Sequence, residues 1–401
     1  MADFFILNIH NDMKIFHILL AVLALADAGL SAATEAGIEP IDISGFRDSS
    51  NHWRNIRNDG YFIQATSKDQ PHYDKKQVRE IAANILLFQR ANGGWPKDYD
   101  MCAVLTRDQA EKVAATRNKT DTSFDNHGTH PQIAYLAKVY EATREDAYRK
   151  ACERGIDFIL SAQYKNGGIP QRYPGKNAIG VLVTLNDGVM GGVLGVYRDA
   201  ARGQDGFSWL DNKRREKCRA AFDKGVACLL AMQNRNKQGV LQGWGQQYNQ
   251  NTLKPALGRP FEHPCNAPGE TCDVLDILMR IEKPSPEIVA AVKSAVAWLD
   301  KVKLTGIRVE KVAAEENVSN RKTSKTDTIV VQDPSATEPL WGRMYELETD
   351  RVLYSDRSGA IKYSLAEIDR ERRSGSNWFV TGPHKIIERA YPAWMEKNNI
   401  K

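Results

Sequence analysis

The chain has 401 residues, of which 42% are hydrophobic and 26% charged, as in ordinary soluble globular proteins. Lys and Arg together number 55 against 50 Asp and Glu, which leaves a formal net charge of +5. So mild an excess of positive charge argues against nucleic-acid binding. It is compatible with a polyanionic ligand if the cations are concentrated in one cleft.

Residues 1–32 predict a secretory signal peptide, with Met13 as an alternative start. Met13-Lys14 precedes an apolar run from Ile15 to Ala26, and small residues follow it. The run is too short to favour a transmembrane helix, although an N-terminal membrane anchor is the alternative. We therefore expect residues 33–401 to form one secreted domain, periplasmic or extracellular, that makes no membrane contact after cleavage.

The six cysteines are compatible with export, because an oxidising compartment permits disulfides. Cys265 and Cys272 flank a loop that contains Pro and Gly, and they are the best candidate pair. Connectivity cannot be read from a sequence, however, and the remaining pairings stay open. The cysteine spacings match no zinc finger or zinc ribbon, which argues against a metal–thiolate site.

One pattern of helix and loop recurs along the chain. In its first copy, apolar residues at helix spacing lead to Gln89, and Gly93-Gly94 and a proline then stop the helix. Similar stretches end at Gln163 and Gln233, a repeat of about 70 residues, which suits one helix pair with its loops. A single pair cannot bury its apolar face, so the pairs must stack.

The repeat predicts a fold that is mainly α, an incomplete α/α toroid of helical hairpins with a few short strands and long loops. An open helical solenoid is the alternative, but its common repeats are only about 34–47 residues long. The last third of the chain is less regular. There we expect a polar surface loop at 311–328, short strands at 329–331 and 353–354, and helices within 365–372 and 384–395.

Two acidic segments precede predicted helices and are candidate sites. Asp125 and Asn126 lie before the helix that starts near Pro131, and Asp187 lies before the next one. Their side chains offer the hard oxygen ligands that calcium prefers, and two carboxylates can also act as an acid and a base. An aspartate before a helix can equally be an N-terminal cap. Neither segment has the spacing of an EF-hand, so any calcium site would combine separate loops.

Cationic and aromatic loops in the second half of the chain suit an acidic sugar. Trp244 and Tyr248 lie among glutamines and glycines, where rings can stack on sugars and amides can bond to hydroxyls. Lys254 and Arg259 follow, and Arg343 lies between aromatic residues; all three suit carboxylate recognition. A polar linker, or an arginine that pairs with a buried acid, would look the same.

Other catalytic signatures are missing from the sequence. It contains no nucleophile elbow, no P-loop, no His-Glu-x-x-His motif and no dinucleotide-binding fingerprint. His127, His130 and His263 lie near the candidate loops. We interpret them as supporting or surface residues rather than metal ligands.

Taken in order, these segments resemble the pectate lyases of polysaccharide lyase family ten. The resemblance runs from about residue 45 to the C-terminus and rests on the order and spacing of many short motifs. They are Asn92-Gly93-Gly94-Trp95-Pro96-Lys97, residues 122–129, 166–171 and 186–188, Trp244-Gly245-Gln246-Gln247-Tyr248, Leu253-Lys254-Pro255-Ala256, Trp341-Gly342-Arg343-Met344-Tyr345 and residues 362–368.

The resemblance implies a single α/α toroid that acts on polygalacturonate as a monomer, with Ca²⁺ bridging acidic side chains and the substrate carboxylate. It assigns Asp125 and Asp187 to the metal, with Asp125 also counted as catalytic, and Arg259 as the base. Asn126, Lys254 and Arg343 are implied as substrate-binding residues.

One departure from the family pattern surrounds the implied base. Leu257-Gly258 precedes Arg259 and Pro260 follows it, which bears on the local backbone shape. A second difference is the cysteine pair in the segment that follows.

The implied reaction is β-elimination, in which the C5 proton is removed and the C4–oxygen bond breaks. Bound cations stabilise the negative charge that develops on the uronate. A guanidinium loses its proton only at alkaline pH unless its surroundings favour the neutral form. We therefore expect calcium dependence and an alkaline optimum. The alternatives are a glycoside hydrolase on the same toroid and a non-catalytic pectin-binding protein.

Overall fold

The computed structural model describes residues 38–55, 70–319 and 322–400. The predicted signal peptide and the alternative start at Met13 lie outside the described residues. Within the described part of the chain, no helix is both long and apolar enough to cross a bilayer.

The chain divides into two compact units, Met1–Ser161 with Asp199–Lys217 and Ala162–Arg198 with Cys218–Lys401. That residues 33–401 form one catalytic domain stays a prediction. The helices of the first unit are α1 (Arg47–Asn55), α2 (Val78–Phe88), α3 (Arg107–Ala114), α4 (His130–Thr143) and α5 (Asp146–Ala162, whose last residue falls in the second unit). Two helices, α6 (Val189–Arg202) and α7 (Asn212–Met232), carry residues of both units.

The second unit contains helices and antiparallel strand pairs, of which one is long. Its helices are α8 (Pro268–Met279), α9 (Pro286–Lys301), α10 (Arg370–Gly375), α11 (Gly382–Lys385) and α12 (Tyr391–Lys397). Its strands are β1 (Val183–Thr184), β2 (Gln247–Tyr248), β3 (Ile307–Ser319), β4 (Lys322–Gln332), β5 (Trp341–Gly342), β6 (Tyr354–Ser355), β7 (Ile361–Lys362) and β8 (Phe379–Val380). They pair as β1–β2, β3–β4, β5–β8 and β6–β7.

The recurring glutamines have one structural role. Gln89 Nε2 donates to the carbonyl oxygens of Gly93 and Ala151, both at 2.9 Å. Gln163 Nε2 does the same with Gly167 at 3.0 Å and Ala221 at 2.9 Å. Each amide therefore ties the loop after its own helix to the backbone of a helix further along the chain.

The third copy follows the same rule. Gln233 Nε2 donates to the carbonyl oxygens of Gln242 at 2.7 Å and Ala291 at 3.0 Å. The three partner helices are α5, α7 and α9, so the repeat in the sequence corresponds to successive helical hairpins.

Buried tryptophans mark the same repeat. The indole of Trp95 donates to the Ile85 carbonyl at 2.7 Å, and that of Trp244 donates to the Leu229 carbonyl at 2.8 Å. Trp341 bonds in the same way to the last turns of α9. Each ring packs its loop against the end of the preceding helix, and the indole N–H satisfies a carbonyl there.

The expectation of a polar surface loop at 311–328 is wrong. That segment forms most of β3 and β4, a long antiparallel ribbon in which Val309 pairs with Val330 and Lys311 with Thr328. Thr and Val residues favour extended backbone, and a two-stranded ribbon needs no strictly apolar face because both faces can meet water. The charged residues obscured the strand pattern in the sequence.

The proposed disulfide is also wrong, because Cys265 and Cys272 are both free thiols. Cys265 lies in a buried cluster with Met344, Leu353 and Trp378, whereas Cys272 lies on α8. Burial raises the pKa of both thiols, as expected for structural rather than reactive cysteines.

The other expectations for the last third of the chain are met in outline. The strand predicted at 329–331 lies within β4, and the one at 353–354 overlaps β6. The predicted final helix is interrupted, since a π-helical turn, Ile386–Ala390, separates α11 from α12.

Candidate functional site

In the first unit, the loop before α4 holds Asp125 and Asn126 in an unusual backbone. Asp125–His127 forms a single 3₁₀ turn in which Asn126 has φ 50° and ψ 43°. His127 has φ 55° and Thr129 has φ 77°, which is rare for a β-branched residue. Backbone strain of this kind persists only where surrounding contacts fix it, and it is common at binding sites.

The surrounding contacts are visible at Thr129. Its hydroxyl accepts a hydrogen bond from the Trp95 amide at 3.1 Å and donates to the Ser123 carbonyl at 2.9 Å. The same arrangement recurs in the second unit, where the Trp244 amide donates to the Thr271 hydroxyl at 2.9 Å. The repeat architecture thus fixes the loop that carries Asp125.

Lys97 lies against both candidate side chains of this loop. Its Nζ donates to Asp125 Oδ2 at 2.6 Å and to Asn126 Oδ1 at 2.9 Å. Asp98 is 3.7 Å from the same ammonium group. The Asp125 side chain is only 7% exposed and that of Lys97 22%, so the pair is largely shielded from water. Asp125 is not the N-cap of α4, because Thr129 occupies that position and the Asp125 carboxylate bonds to a lysine.

A hydrogen-bonded group around Asp48 supports Asn126 from α1. Asn126 Nδ2 donates to Asp48 Oδ2 at 3.2 Å, and His127 Nδ1 lies 3.4 Å from the same oxygen. Hydrogen bonds from His127, then His52, hold the pKa of Asp48 well below its usual range. The bond to Asp48 raises the pKa of His52, although burial opposes this. His127 and His52 thus serve as supporting residues.

In the second unit, Asp187 lies in a turn of the same kind. Asn186–Gly188 forms a 3₁₀ turn before α6, with Asp187 at φ 53° and ψ 29°. Asp187 is half-buried, and its Oδ2 accepts a hydrogen bond from Asn186 Nδ2 at 2.9 Å. In both turns the second residue has positive φ. It is Asn126, after Asp125, in the first unit and Asp187, after Asn186, in the second, so the order of aspartate and asparagine is reversed.

Backbone hydrogen bonds connect the Asp187 turn to the loop that carries Lys254. The amides of Leu185 and Asn186 both donate to the Gln246 carbonyl, at 2.9 and 3.2 Å. Strand β2 follows directly and pairs with β1, and Tyr248 then bridges to Pro255. Lys254 therefore lies one segment away from the Asp187 turn on a common scaffold, with its side chain exposed.

Arg259 lies in a tight turn with Glu262. The Arg259 guanidinium donates to Glu262 Oε1, through Nε at 2.9 Å and through a second, shorter bond, and its amide donates to Oε2 at 2.8 Å. Glu262 is buried whereas half of the Arg259 side chain is exposed. Burial opposes the charged form of Glu262, but bonds and charge from Arg259 outweigh it, so the pKa of Glu262 is lowered.

Gly258 explains how the departure from the family pattern is accommodated. An ideal Cβ on Gly258 would lie 2.6 Å from Glu262 Oε2 and 2.7 Å from Gln247 Oε1. The Gly258 amide also donates to the Glu262 carbonyl at 3.0 Å, which closes the turn. The glycine allows the Arg259–Glu262 turn to pack against β2.

Three guanidinium groups surround the buried ring of Phe261. The Cζ atoms of Arg259, Arg357 and Arg372 lie 5.0, 5.5 and 3.9 Å from its centroid. Arg357 is also held by a two-pronged ion pair with Glu371, at 3.0 and 3.1 Å. We call Arg259, Arg343, Arg357 and Arg372 the arginine group.

Arg343 is counted in this group because its charge acts on other members and on their carboxylate partner. Its amide donates to the Trp378 carbonyl at 2.8 Å, and its charge acts on both Glu262 and Arg372. Burial lowers the pKa of Arg372 to about 10; Glu371 opposes this, and the other three arginines add to it. The group gathers four guanidinium charges beside Glu262 and Glu371, an arrangement that suits a polyanion.

The fit to calcium rests on oxygen donors. Asp125 and Asp187 provide carboxylates of the kind that calcium prefers. The described residues form no group of three or more His, Cys, Asp or Glu side chains that could hold a metal ion. Calcium at either aspartate would therefore need further oxygen donors, of the kind that a uronate carboxylate offers. In donor chemistry each of the two aspartates fits calcium.

The structure adds Lys97, Arg357 and Arg372 to the candidate residues. Lys97 directly follows the first copy of the recurring Gly-Gly-x-Pro motif, which is the signal that could have singled it out. Arg357 lies in a segment that we interpreted mainly as a turn. Arg372 lies in a run of charged residues whose short helix gives little sequence signal.

Comparisons with known proteins identify the family. The sequence model of one family, described as pectic acid lyase, matches residues 89–387, most of the chain. The chain belongs to the pectic acid lyase family. The matched region includes Asp125, Asp187 and all four members of the arginine group. No curated protein matches the chain significantly.

Two similar solved structures extend this family relationship. A family 10 polysaccharide lyase from Cellvibrio cellulosa is 26% identical, with a TM-score of 0.66 over 81% of this chain and 93% of that chain. A mutant family 10 enzyme from the same organism, with aspartate replaced by alanine, was solved in complex with trigalacturonic acid. It is 25% identical, with a TM-score of 0.66 over 88% of this chain and 99% of that chain.

These similarities confirm the predicted fold class, an incomplete α/α toroid that is mainly α. They also confirm that the chain is a pectate lyase of family ten, an enzyme of polysaccharide degradation. The individual roles of Asp125, Asn126, Asp187, Lys254, Arg259 and Arg343 stay predictions, as do calcium binding and secretion.

Proposed function

We propose that this family member cleaves α-1,4-linked polygalacturonate by calcium-assisted β-elimination and releases oligogalacturonates with a 4,5-unsaturated end. The observation that carries the proposal is the arginine group around Phe261 in a pectic acid lyase. Guanidinium groups bind carboxylates through paired hydrogen bonds, and polygalacturonate carries one carboxylate on every sugar. The complex of the similar mutant enzyme with trigalacturonic acid supports the same substrate class.

In the proposed reaction Arg259 acts as the base. Neutral Arg259 takes the C5 proton, the electron pair forms the C4–C5 double bond, and the C4–oxygen bond breaks. The leaving oxygen takes a proton from solvent. The exposure of half of the Arg259 side chain supports this role, because a substrate needs access to the guanidinium.

Substrate carboxylates are bound by Arg343 and Lys254, with Arg357 and Arg372 as further cations of the same unit. Asn126 offers an amide for a substrate hydroxyl or carboxylate, with its orientation fixed by Lys97 and Asp48. Calcium held by Asp125 and Asp187 would neutralise the uronate carboxylate and so acidify the adjacent C5 proton. The hydrogen bond from Lys97 holds the Asp125 carboxylate in a fixed orientation.

Secretion is part of the proposal. A polymeric substrate cannot cross a membrane intact, so the enzyme must meet it outside the cytoplasm. The predicted signal peptide in residues 1–32 supports this.

Absorbance of the unsaturated product during incubation with polygalacturonate tests the proposal. With calcium we expect ultraviolet absorbance to rise, faster at alkaline pH, and with excess chelator we expect it to stop. Undiminished activity in chelator would exclude the role of calcium.

The base assignment is tested with Arg259→Ala. We expect kcat to fall by about 10²–10⁴ while trigalacturonic acid still binds, because general-base catalysis contributes on that scale. A variant that loses binding but retains its rate per bound substrate would exclude Arg259 as the base.

A further inference from the structure

Helix α10 contacts or carries two members of the arginine group, Arg357 and Arg372. Glu371 holds Arg357 through the two-pronged ion pair, and Arg372 lies over the Phe261 ring. Arg372 is partly buried, and the Trp378 indole donates to its carbonyl at 2.9 Å. A small rotation of α10 would therefore move two guanidinium groups at once.

A helix as short as α10 cannot hold itself in place. Arg370–Gly375 spans 6 residues, and isolated helices shorter than about 12–15 residues are marginal in water. Its N-terminal end is held where the Asp369 amide donates to Asp356 Oδ2 at 3.0 Å. The orientation of the remaining turn must come from contacts with other elements.

Those contacts come from the β3–β4 ribbon. Arg373 donates to Asp327 on β4 through both prongs of its guanidinium, Nε to Oδ1 at 2.7 Å and Nη2 to Oδ2 at 2.6 Å. The Ser374 hydroxyl donates to Asp327 Oδ1 at 3.1 Å, and Arg370 donates to the Glu315 carbonyl on β3.

Burial makes the Asp327–Arg373 pair stronger than an ordinary surface ion pair. The side chains are only 18% and 16% exposed. The third guanidinium nitrogen of Arg373 donates to the Ile368 carbonyl at 2.6 Å, so one side chain joins β4 to both the start and the end of α10. The hydrogen bond from Arg373 lowers the pKa of Asp327 to about 2. The pair is therefore ionised throughout the range in which an alkaline enzyme works.

We propose that Asp327 is a positioning residue for substrate binding. Through Arg373 it orients α10, and α10 in turn presents Arg372 and the Glu371–Arg357 pair to the substrate carboxylates. The inference rests on the proposed function and deepens it, because it gives the β3–β4 ribbon a role in affinity. Asp327 itself makes no contact with substrate in this account.

Kinetics of the full-length protein on polygalacturonate test this role. Asp327→Asn keeps the size of the side chain and removes its charge. Arg373→Lys keeps the charge and removes the planar guanidinium that makes two parallel hydrogen bonds to Asp327. We expect either change to raise KM by about 3–10-fold with kcat within about twofold, and to weaken trigalacturonic acid binding to match. Asp327→Glu, which restores the charge, should recover at least half of the lost affinity.

A matched control lies on the same ribbon. Glu316 pairs with Lys325 at 3.1 Å, and both side chains are more than half exposed. Glu316→Gln makes the same change of charge without touching α10, and we expect KM and melting temperature to stay at the wild-type values. A rise in KM for Glu316→Gln equal to that of Asp327→Asn would show that the ribbon acts only through its net charge.

The outcomes separate the inference from the proposed function. If Asp327→Asn and Arg373→Lys both keep the KM and the trigalacturonic acid binding of the wild type, the inference alone is overturned. A lowered melting temperature without a change in KM would do the same, because Asp327 would then be merely structural. A wild-type chain that neither cleaves polygalacturonate nor binds trigalacturonic acid would overturn the proposed function, and the inference with it.

Discussion

At the scale of single residues, Gly258 is the position where this chain differs most informatively from the family pattern. A side chain there would meet Glu262 Oε2 at 2.6 Å and Gln247 Oε1 at 2.7 Å. We expect Gly258→Ala to lower kcat/KM about tenfold or more, because displacing Glu262 displaces Arg259. Activity on polygalacturonate measures the effect.

The matched control for this substitution is Gly195→Ala. Gly195 lies within α6, and an added Cβ would meet nothing within 4 Å. Replacing a helical glycine by alanine should stabilise the protein by about 0.5–1 kcal/mol and leave activity unchanged. Equal losses of activity in the two variants would contradict a specific role for Gly258.

Lys97 is the second residue whose contribution can be measured directly. Lys97→Met leaves the buried Asp125 carboxylate without the ammonium group 2.6 Å away. Breaking a buried ion pair costs about 3–5 kcal/mol, and the partial exposure of Lys97 reduces our expectation to about 1–3 kcal/mol. Urea denaturation gives the free energy of unfolding.

An exposed ion pair of the same type provides the control for Lys97. Lys112 Nζ lies 2.7 Å from Asp108 on α3, where both side chains are at least half exposed. Lys112→Met should cost less than about 0.5 kcal/mol. Similar losses in both variants would contradict the shielding that we assign to the Lys97–Asp125 pair.

His130 makes stability depend on pH. Burial, assisted by charge on His127, lowers its pKa from 6.5 to about 3 in the folded protein. The folded state therefore favours neutral His130, which adds stability above pH 6.5 that is lost as the pH falls toward 3. The loss is at most about 1.4 kcal/mol per pH unit.

Melting temperatures of wild type and His130→Phe between pH 8 and pH 4 measure this dependence. We expect the variant to have the flatter profile, because the charge that must be buried at low pH is gone. Parallel profiles would show that other groups dominate the acid sensitivity.

At the scale of elements, the clearest prediction concerns the contribution of a recurring glutamine to stability. Gln233→Leu removes bonds to the carbonyls of Gln242 and Ala291 and leaves both oxygens buried. We expect the free energy of unfolding to fall by about 1–3 kcal/mol. Gln204→Leu, at an exposed position, should change it by less than about 0.5 kcal/mol.

The elements also show which parts of the fold a sequence can reveal. Gln89, Gln163 and Gln233 were visible as a repeat because each one ends a helix before a glycine loop, and both signals are local. The β3–β4 ribbon was missed because charged residues outnumber apolar ones in the segment 311–328, and because its register depends on pairing between two strands. Local propensity cannot report that pairing.

At the scale of the whole molecule, the family and its fold class could be predicted because the motifs keep their order and spacing along the chain. Parts of the site could not be predicted in the same way. Lys97 reaches Asp125 only through the folded loop, and Arg372 reaches Phe261 only because α10 packs against β4. Such contacts join residues that are distant in sequence and have no local signature.

The central claim is that bonds in polygalacturonate are broken by elimination. The most direct measurement counts new ultraviolet-absorbing ends and new reducing ends in the same samples, with calcium at alkaline pH. An eliminase makes both in equal numbers, and we expect that equality with this protein. New reducing ends without ultraviolet absorbance would identify a hydrolase and contradict the account, and the absence of both would identify a binding protein.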